Sequence, residues 1–437
     1  MERLLKLALK SADEAEVFHC ETVNGYLRVR DSDLNDISGG MKTGYALRII
    51  KGGKLGTAYT KNLLDREGLV QGALASLKGN VDAGFSFPKM SKVRGIDLYD
   101  KGIESLSFSR LYDLAEGTVG FFGSKVKGQM NLYTGFKTEK RRVANSSGLE
   151  RVSRESVFYT STSLVYPKGN TGLFKSFYNP GPRAPPRRAL QEQLDEYNAS
   201  LPIVDVGSGR FQVLLRPDAL FPILWRLSEA TSGKNIYEKT SPLTGKAGEH
   251  VVSDKVTLYN DPHDTKSVGA MAFDDEGVPT RRLDLIKDGV FKTCYVNLGY
   301  AARLGMKPTG NGFRSETFMP GDPVTMQPAP LLKNLCIAPG KDKYEDLVQS
   351  MDRGIIVDDI MGPHSGNILN GDFSVSMSPG FLVRKGEIAG RVRDGMIAGN
   401  VYDLLRKVSG IENKMHDPES MNKNPCMLLD DVSVSAK

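Results

Sequence analysis

The densest gathering of reactive and hydrogen-bonding side chains in the 437-residue chain is the run Gly362-Pro363-His364-Ser365-Gly366-Asn367-Ile368-Leu369-Asn370-Gly371-Asp372-Phe373-Ser374. It continues through Ser378-Pro379-Gly380 to Ala398-Gly399-Asn400. Its glycines permit positive φ and close backbone approach, while Ile355-Ile356-Val357 before it and Phe381-Leu382-Val383 after it read as strands. The run therefore reads as a site-forming loop between strands, against the alternative of ordinary β-turns, which draw on the same residue types. His364 is the histidine of most interest because it lies inside this run.

Elsewhere the chemistry is thin. The histidines His19, His250, His263, His364 and His416 show no ligand spacing, although ligands from distant segments can converge, and His263 sits in a turn-like Asp261-Pro262-His263-Asp264. Cys20, Cys294, Cys336 and Cys426 lie far apart, which gives neither a disulfide framework nor a zinc knuckle and fits a reducing cytoplasm. Asp274-Asp275-Glu276 invites comparison with a cation site, but the following Gly277 makes an exposed turn between strands the simpler expectation. Glu229, on a mostly apolar helix without a histidine beside it, reads as a capping or partner-facing charge rather than a general base. Neither a phosphate-binding Gly-x-x-x-x-Gly-Lys-Ser/Thr loop nor a Gly-x-Ser-x-Gly elbow is present, which argues against nucleotide chemistry and serine hydrolysis.

Read in order, the glycine-rich run joins Asn145-Ser146-Ser147-Gly148, Gly245-Lys246-Ala247-Gly248-Glu249, Asp274-Asp275-Glu276-Gly277-Val278-Pro279-Thr280 and Pro308-Thr309-Gly310-Asn311-Gly312. This succession resembles the TldD/PmbA family, the so-called modulators of DNA gyrase, over nearly the whole chain. Metal-dependent members of that family carry His-Glu-x-x-x-His on a helix, where the two imidazoles hold zinc. Anchored on Thr240-Ser241 and Gly248-Glu249, the matching segment here is Ser228-Glu229-Ala230-Thr231-Ser232-Gly233, so Ser228 and Gly233 stand where the family has histidines. The family's third ligand, a cysteine in a Cys-Gly-Lys context, is also missing, since Cys426 lies in Asn424-Pro425-Cys426-Met427-Leu428.

The resemblance thus implies the PmbA or TldE branch: a subunit with no catalytic residues and no metal of its own, paired with a zinc-bearing TldD-type subunit in a metallopeptidase complex that cleaves unstructured peptides. It further implies that this chain encloses the active site and holds substrate, with His364, Ser365, Gly366, Asn367, Gly371, Asp372, Asn311 and Asn145 as substrate-facing candidates. Strand addition at an exposed sheet edge would grip an extended peptide. Two other readings stay open. One is a non-catalytic modulator of gyrase or of a toxin–antitoxin system; the other is an independent homodimeric peptidase that uses Glu229 and a metal gathered from distant residues.

The elements that must position these groups form an α+β fold. Residues 1–200 read as an N-terminal α/β domain with an antiparallel sheet and helices on one face; residues 201–437 read as a β-rich C-terminal domain carrying the signature loops. A helix over Met1–Lys10 precedes strands around Val17, Val29 and Leu47, Gly52-Gly53 turns the chain, and Asn62 introduces a helix that includes Leu64. Ser109–Phe122 is helical, Gln129–Val165 returns to strands around an Asn145–Gly148 hairpin, and prolines make Asn179–Pro186 a surface crossing. Gln212–Leu215 is a strand leading into a helix over Asp218–Thr231, and Lys287-Asp288-Gly289-Val290 and Arg384-Lys385-Gly386-Glu387 are hairpin turns. Composition is that of a globular protein, 40% hydrophobic and 25% charged, and the formal net charge is +6. The basic runs Lys137–Arg142 and Arg183–Arg188 read as solvated loops, so no nucleic-acid partner is expected. No apolar run is long enough for a membrane span, and early charges argue against a signal peptide.

Overall fold

The computed structural model describes residues 1–167, 171–317, 321–416 and 423–436. Its first half is built on a six-stranded antiparallel sheet of β1 (Glu14–Arg30), β2 (Asp33–Lys51), β3 (Lys54–Thr60), β4 (Met130–Asn145), β5 (Glu150–Val165) and β6 (Gly172–Asn179), in the spatial order β3-β2-β1-β4-β5-β6. The helices are α1 (Glu2–Ala8), α2 (Arg66–Ser76), α3 (Phe108–Phe122) and α4 (Arg187–Ala199). All four pack on one sheet face. Period-two alternation sends Val17, Leu27 and Val29 of β1 toward them, joining Leu4, Leu69, Leu111 and Leu190 in two apolar clusters. The alternate residues Phe18 and Cys20 face the second half of the chain, where Phe273 and Val324 cover them.

That second half is centred on a ten-stranded sheet whose middle is Met427–Ser435, Gly209–Leu215, Arg353–Val357 and Gly380–Arg384. Gly209–Leu215 pairs antiparallel with Met427–Ser435 and parallel with Arg353–Val357. Val213, Leu215, Ile355 and Val357 point into the largest core, against the helix α5 (Phe221–Thr231), while Leu214 and Ile356 point the other way against Leu347 and Met351. A four-stranded sheet of Leu258–Asn260, Leu283–Lys287, Val290–Phe291 and Leu335–Ile337 adds to the same core. The architecture is mixed α+β and sheet-rich. No helix among the described residues is long and apolar enough to cross a membrane.

Three local expectations fail for identifiable reasons. The second helix begins at Arg66 with Asp65 as its cap, its carboxylate accepting from the Gly68 amide, and Leu64 lies outside it with 85% of its surface exposed. The run Lys137–Arg142 is no solvated loop: it lies within β4, between β1 and β5, and Arg141 is buried against Glu139, Glu155 and Asp275. Arg187 and Arg188 open α4, a helix that the prolines before it obscured. The expected hairpins form: Asp288 and Gly289 both take positive φ, as a two-residue turn between right-twisted strands requires.

Candidate functional site

Helix α5 is buried on nearly every side, from Pro222 and Ile223 through Arg226, Leu227 and Ser228 to Thr231. The positions that would present zinc ligands are closed. The Ser228 hydroxyl lies 3.2 Å from the buried Tyr295 hydroxyl, and the Asn235 amide donates to Glu229 Oε2 at 2.9 Å and to the Glu229 carbonyl at 2.8 Å. At Gly233 a Cβ would meet Val296 Cγ1 at 2.3 Å and the Tyr295 carbonyl oxygen at 2.9 Å, closer than real Cβ atoms come. A hydroxyl, a carboxylate already engaged by an amide and a position with no room for a side chain do not make a zinc site. Glu229 acts as the anchor for the turn after α5.

The same helix does hold the glycine-rich loop. Arg226, fully buried, donates from Nε to the Asp372 carbonyl at 2.8 Å, from Nη1 to the carbonyls of Pro363 and Pro222 at 3.1 Å each, and from Nη2 to the Ser365 carbonyl at 2.8 Å. A planar guanidinium thus clamps both ends of the loop at once. Gly366 takes φ +95°, and a Cβ there would lie 2.4 Å from the Asp372 carbonyl oxygen. Further along, the Asn400 amide donates to the Asn370 carbonyl at 2.8 Å and to Asp372 Oδ1 at 2.9 Å, and the Asn367 carbonyl accepts from the amides of Gly371 and Asp372. His364, Gly366, Asn367 and Asp372 remain exposed, Ser365 is half-buried and Gly371 is buried. Arg226 was missed in the sequence, where a lone arginine among Ile223, Leu224, Trp225 and Leu227 was the available signal: it must find acceptors in the interior.

Asn145 and Asn311, expected on a substrate-facing surface, are buried. Asn145 donates to the Pro88 carbonyl and accepts from the amides of Ser147 and Leu149; Asn311 donates to the Leu331 carbonyl. Each is hydrogen-bonded within its own half, whereas the acidic triplet reaches across the junction. Asp274, Asp275 and Glu276 form a turn, but an interior one, correcting the exposed turn expected from Gly277. Asp274 accepts from the Gly312, Glu276 and Val278 amides; Glu276 pairs with Arg48 of β2 at 2.8 Å, and Arg48 pairs in turn with Glu16 of β1. Opposite charges supplied by the facing sheet are what allow this burial.

Two clefts lie where the halves meet, and the glycine-rich loop reaches one of them through Pro363. One, of about 390 Å³, is lined by Pro363, Ser161, Ser176, Phe221, Asp218 and Asp359. Burial, with the Asp218 charge adding to it, lifts the Asp359 carboxyl to about 7. The other, of about 650 Å³, shares Pro217 and Asp218 with the first and is lined by Arg216, Asp358, Glu412, His416 and Cys426. Arg216 bridges Glu196 of α4 and Asp358, and Lys175 of β6 approaches Asp358 at 3.6 Å, so this cleft too spans both halves. His416 and Cys426, which show no ligand spacing in sequence, come together here.

Residues 208–436 match the PmbA/TldA metallopeptidase C-terminal domain, and residues 15–78 match the PmbA/TldA metallopeptidase domain 1. The chain belongs to the TldD/PmbA family. A metalloprotease from Methanothermobacter thermautotrophicus is 24% identical, with 88% of this chain and 84% of that protein covered. The structure of TldE from Thermococcus kodakarensis superposes with a TM-score of 0.89 at 27% identity over the full length of both chains. A Thermotoga maritima structure, described as a candidate modulator of a DNA gyrase, superposes with a TM-score of 0.87 at 27% identity over 99% of each chain. The family motifs divide by role in the structure: the acidic triplet ties the halves together through Arg48, the two asparagines are hydrogen-bonded within their own halves, and the glycine-rich loop reaches the smaller cleft through Pro363.

Proposed function

We propose that the chain is a TldE-like supporting subunit of a two-subunit metallopeptidase, in which a zinc-bearing TldD-type partner hydrolyses unstructured peptides and this chain encloses the site and holds substrate. The observation that carries the reading is Gly233, whose surroundings leave no space for the second histidine of a His-Glu-x-x-x-His helix. With no metal held at this helix, hydrolysis falls to the zinc of a partner chain.

The β2 edge supports the partner. Residues Glu21–Arg30 of β1 pair with one side of Asp33–Thr43, but β3 pairs only with Tyr45–Lys51, so no strand among the described residues covers the other side of Asp33–Thr43. Leu34, Ile37 and Met41 are exposed along it. Such an edge accepts an extended peptide or a second subunit by strand addition.

The test is peptide hydrolysis by the purified chain alone, and again after mixing with the His-Glu-x-x-x-His paralogue from the same source. Activity confined to the mixture, and above that of the paralogue alone, is the expected result. Hydrolysis by the lone chain would overturn the reading and favour the independent homodimeric peptidase.

A further inference from the structure

Glu412, His416 and Cys426 lie at the floor of the larger cleft, well apart in sequence from helix α5. Val408–Ile411 pairs with Met427–Ser435, and the pairing continues outward: the Glu412 amide donates to the Cys426 carbonyl at 2.9 Å, and the His416 amide donates to the Asn424 carbonyl at 3.1 Å. The two arms therefore fix three donor groups without help from any ligand. Glu412 and Cys426 are buried, while the His416 side chain is 33% exposed and closes the group on the cleft side.

The donor atoms converge on one point. Glu412 Oε2 is 2.7 Å from His416 Nε2, Cys426 Sγ is 4.0 Å from the same Nε2, and all three ligand atoms lie within 4.8 Å of one another. A nucleophilic thiol–imidazole–carboxylate relay needs a different arrangement, with the carboxylate on one ring nitrogen and the thiol on the other. Burial and the Glu412 charge also push the thiol up, away from the thiolate that a nucleophile requires. A cation placed between the three reverses that penalty. Metal–sulfur and metal–nitrogen distances of about 2.3 and 2.0 Å put the two donor atoms of a tetrahedral site about 3.5 Å apart, near the 4.0 Å present here, and the 2.7 Å hydrogen bond between Glu412 and His416 opens to admit the ion.

We propose that Glu412, His416 and Cys426 form a binding site for one divalent cation of the zinc class, separate from the helix position that lacks room for one. One carboxylate, one imidazole and one thiolate are a borderline donor set that favours such an ion over magnesium or calcium. The fourth position faces the cleft and takes water or an anionic group. Binding replaces the Cys426 S–H bond with a sulfur–metal bond, and the proton leaves to solvent.

The test is titration of the metal-stripped full chain with Zn²⁺ in competition with a chromophoric chelator, and with Co²⁺ followed by absorption. The expected result is one equivalent per chain with a thiolate-to-cobalt band. Cys426→Ser removes the band, and both Cys426→Ser and the half-exposed His416→Asn weaken Zn²⁺ binding by roughly tenfold or more. Cys20→Ser leaves the stoichiometry unchanged. Absence of stoichiometric binding, or binding that His416→Asn leaves intact, would overturn the site; if Cys426→Ser fails to fold, His416→Asn with an unchanged circular dichroism spectrum decides alone. The titration uses this chain by itself, so its outcome is independent of whether the chain supports a partner's hydrolysis.

Discussion

Two clusters built around buried carboxylates, Asp274-Asp275-Glu276 at the junction and Glu412 with His416 and Cys426 at the cleft, differ in what surrounds them. At the junction of the halves, Glu276 has Arg48 at 2.8 Å and the Leu298 amide at 2.8 Å, Asp274 has three backbone amides, and Arg48 is shared with Glu16. At the cleft, the buried Glu412 has an imidazole, the Cys426 amide at 3.1 Å and a thiol that burial holds in its neutral form. The first arrangement is held by protein donors, with burial and the Glu276 charge pushing the Asp274 carboxyl well up, and acts as a clamp. The second leaves ligand atoms pointed at each other, which is the condition for taking up an ion. Counting acidic residues does not separate a structural cluster from a binding one; counting their answered charges does.

If that is the distinction, the largest effect should come from the junction. Replacing Arg48 with Met leaves Glu276 buried without its cation and Glu16 with only Arg314 at 3.9 Å, and we expect a loss of about 3–5 kcal/mol in urea unfolding; a loss under about 1 kcal/mol would remove the clamp from the comparison. Arg226→Met strips three loop carbonyls of their donor and should cost about 1–3 kcal/mol while lowering activity in the two-subunit mixture. A middle case is Asp359, a carboxyl dominated by burial and by the neighbouring Asp218 charge. Lifted to about 7 from its ordinary 3.8, it holds its proton in the folded state where the unfolded chain has released it, so its contribution to stability is lost as pH rises between about 4 and 7. Asp359→Asn should therefore raise the melting temperature at about pH 8 and leave it nearly unchanged at about pH 4; a uniform shift at both would show that Asp359 is not protonated in the folded protein. The smallest effect belongs to His416→Asn in the absence of metal, less than about 1 kcal/mol, since His416 is partly exposed and the Cys426 amide still donates to Glu412.

Much of the fold was legible because it rests on local patterns. The alternation in β1, the turns at Gly52-Gly53 and Asp288-Gly289, and the apolar spacing of α3 and α5 all signal their elements without reference to the rest of the chain. What was not legible depends on distant partners. Asp274–Glu276 reads as an exposed turn until β1 and β2 supply Glu16 and Arg48, and Lys137–Arg142 reads as a solvated run until β5 and Asp275 surround Arg141. The convergence of His416 with Cys426 was hidden for the same reason: cross-strand pairing, not spacing along the chain, brings the donors together. Gly233 is a further instance, since its identity signals a missing ligand but only Val296 shows that the space is gone.

The bare side of Asp33–Thr43 has a consequence in terms of symmetry. Two copies of one strand edge that meet antiparallel are related by a twofold axis, so each uses the same surface and the pairing closes after two chains. Were two copies of this protein to meet through that edge they would close as a dimer rather than grow into a filament, and a TldD-type subunit with a matching edge would compete for the same row of amides and carbonyls.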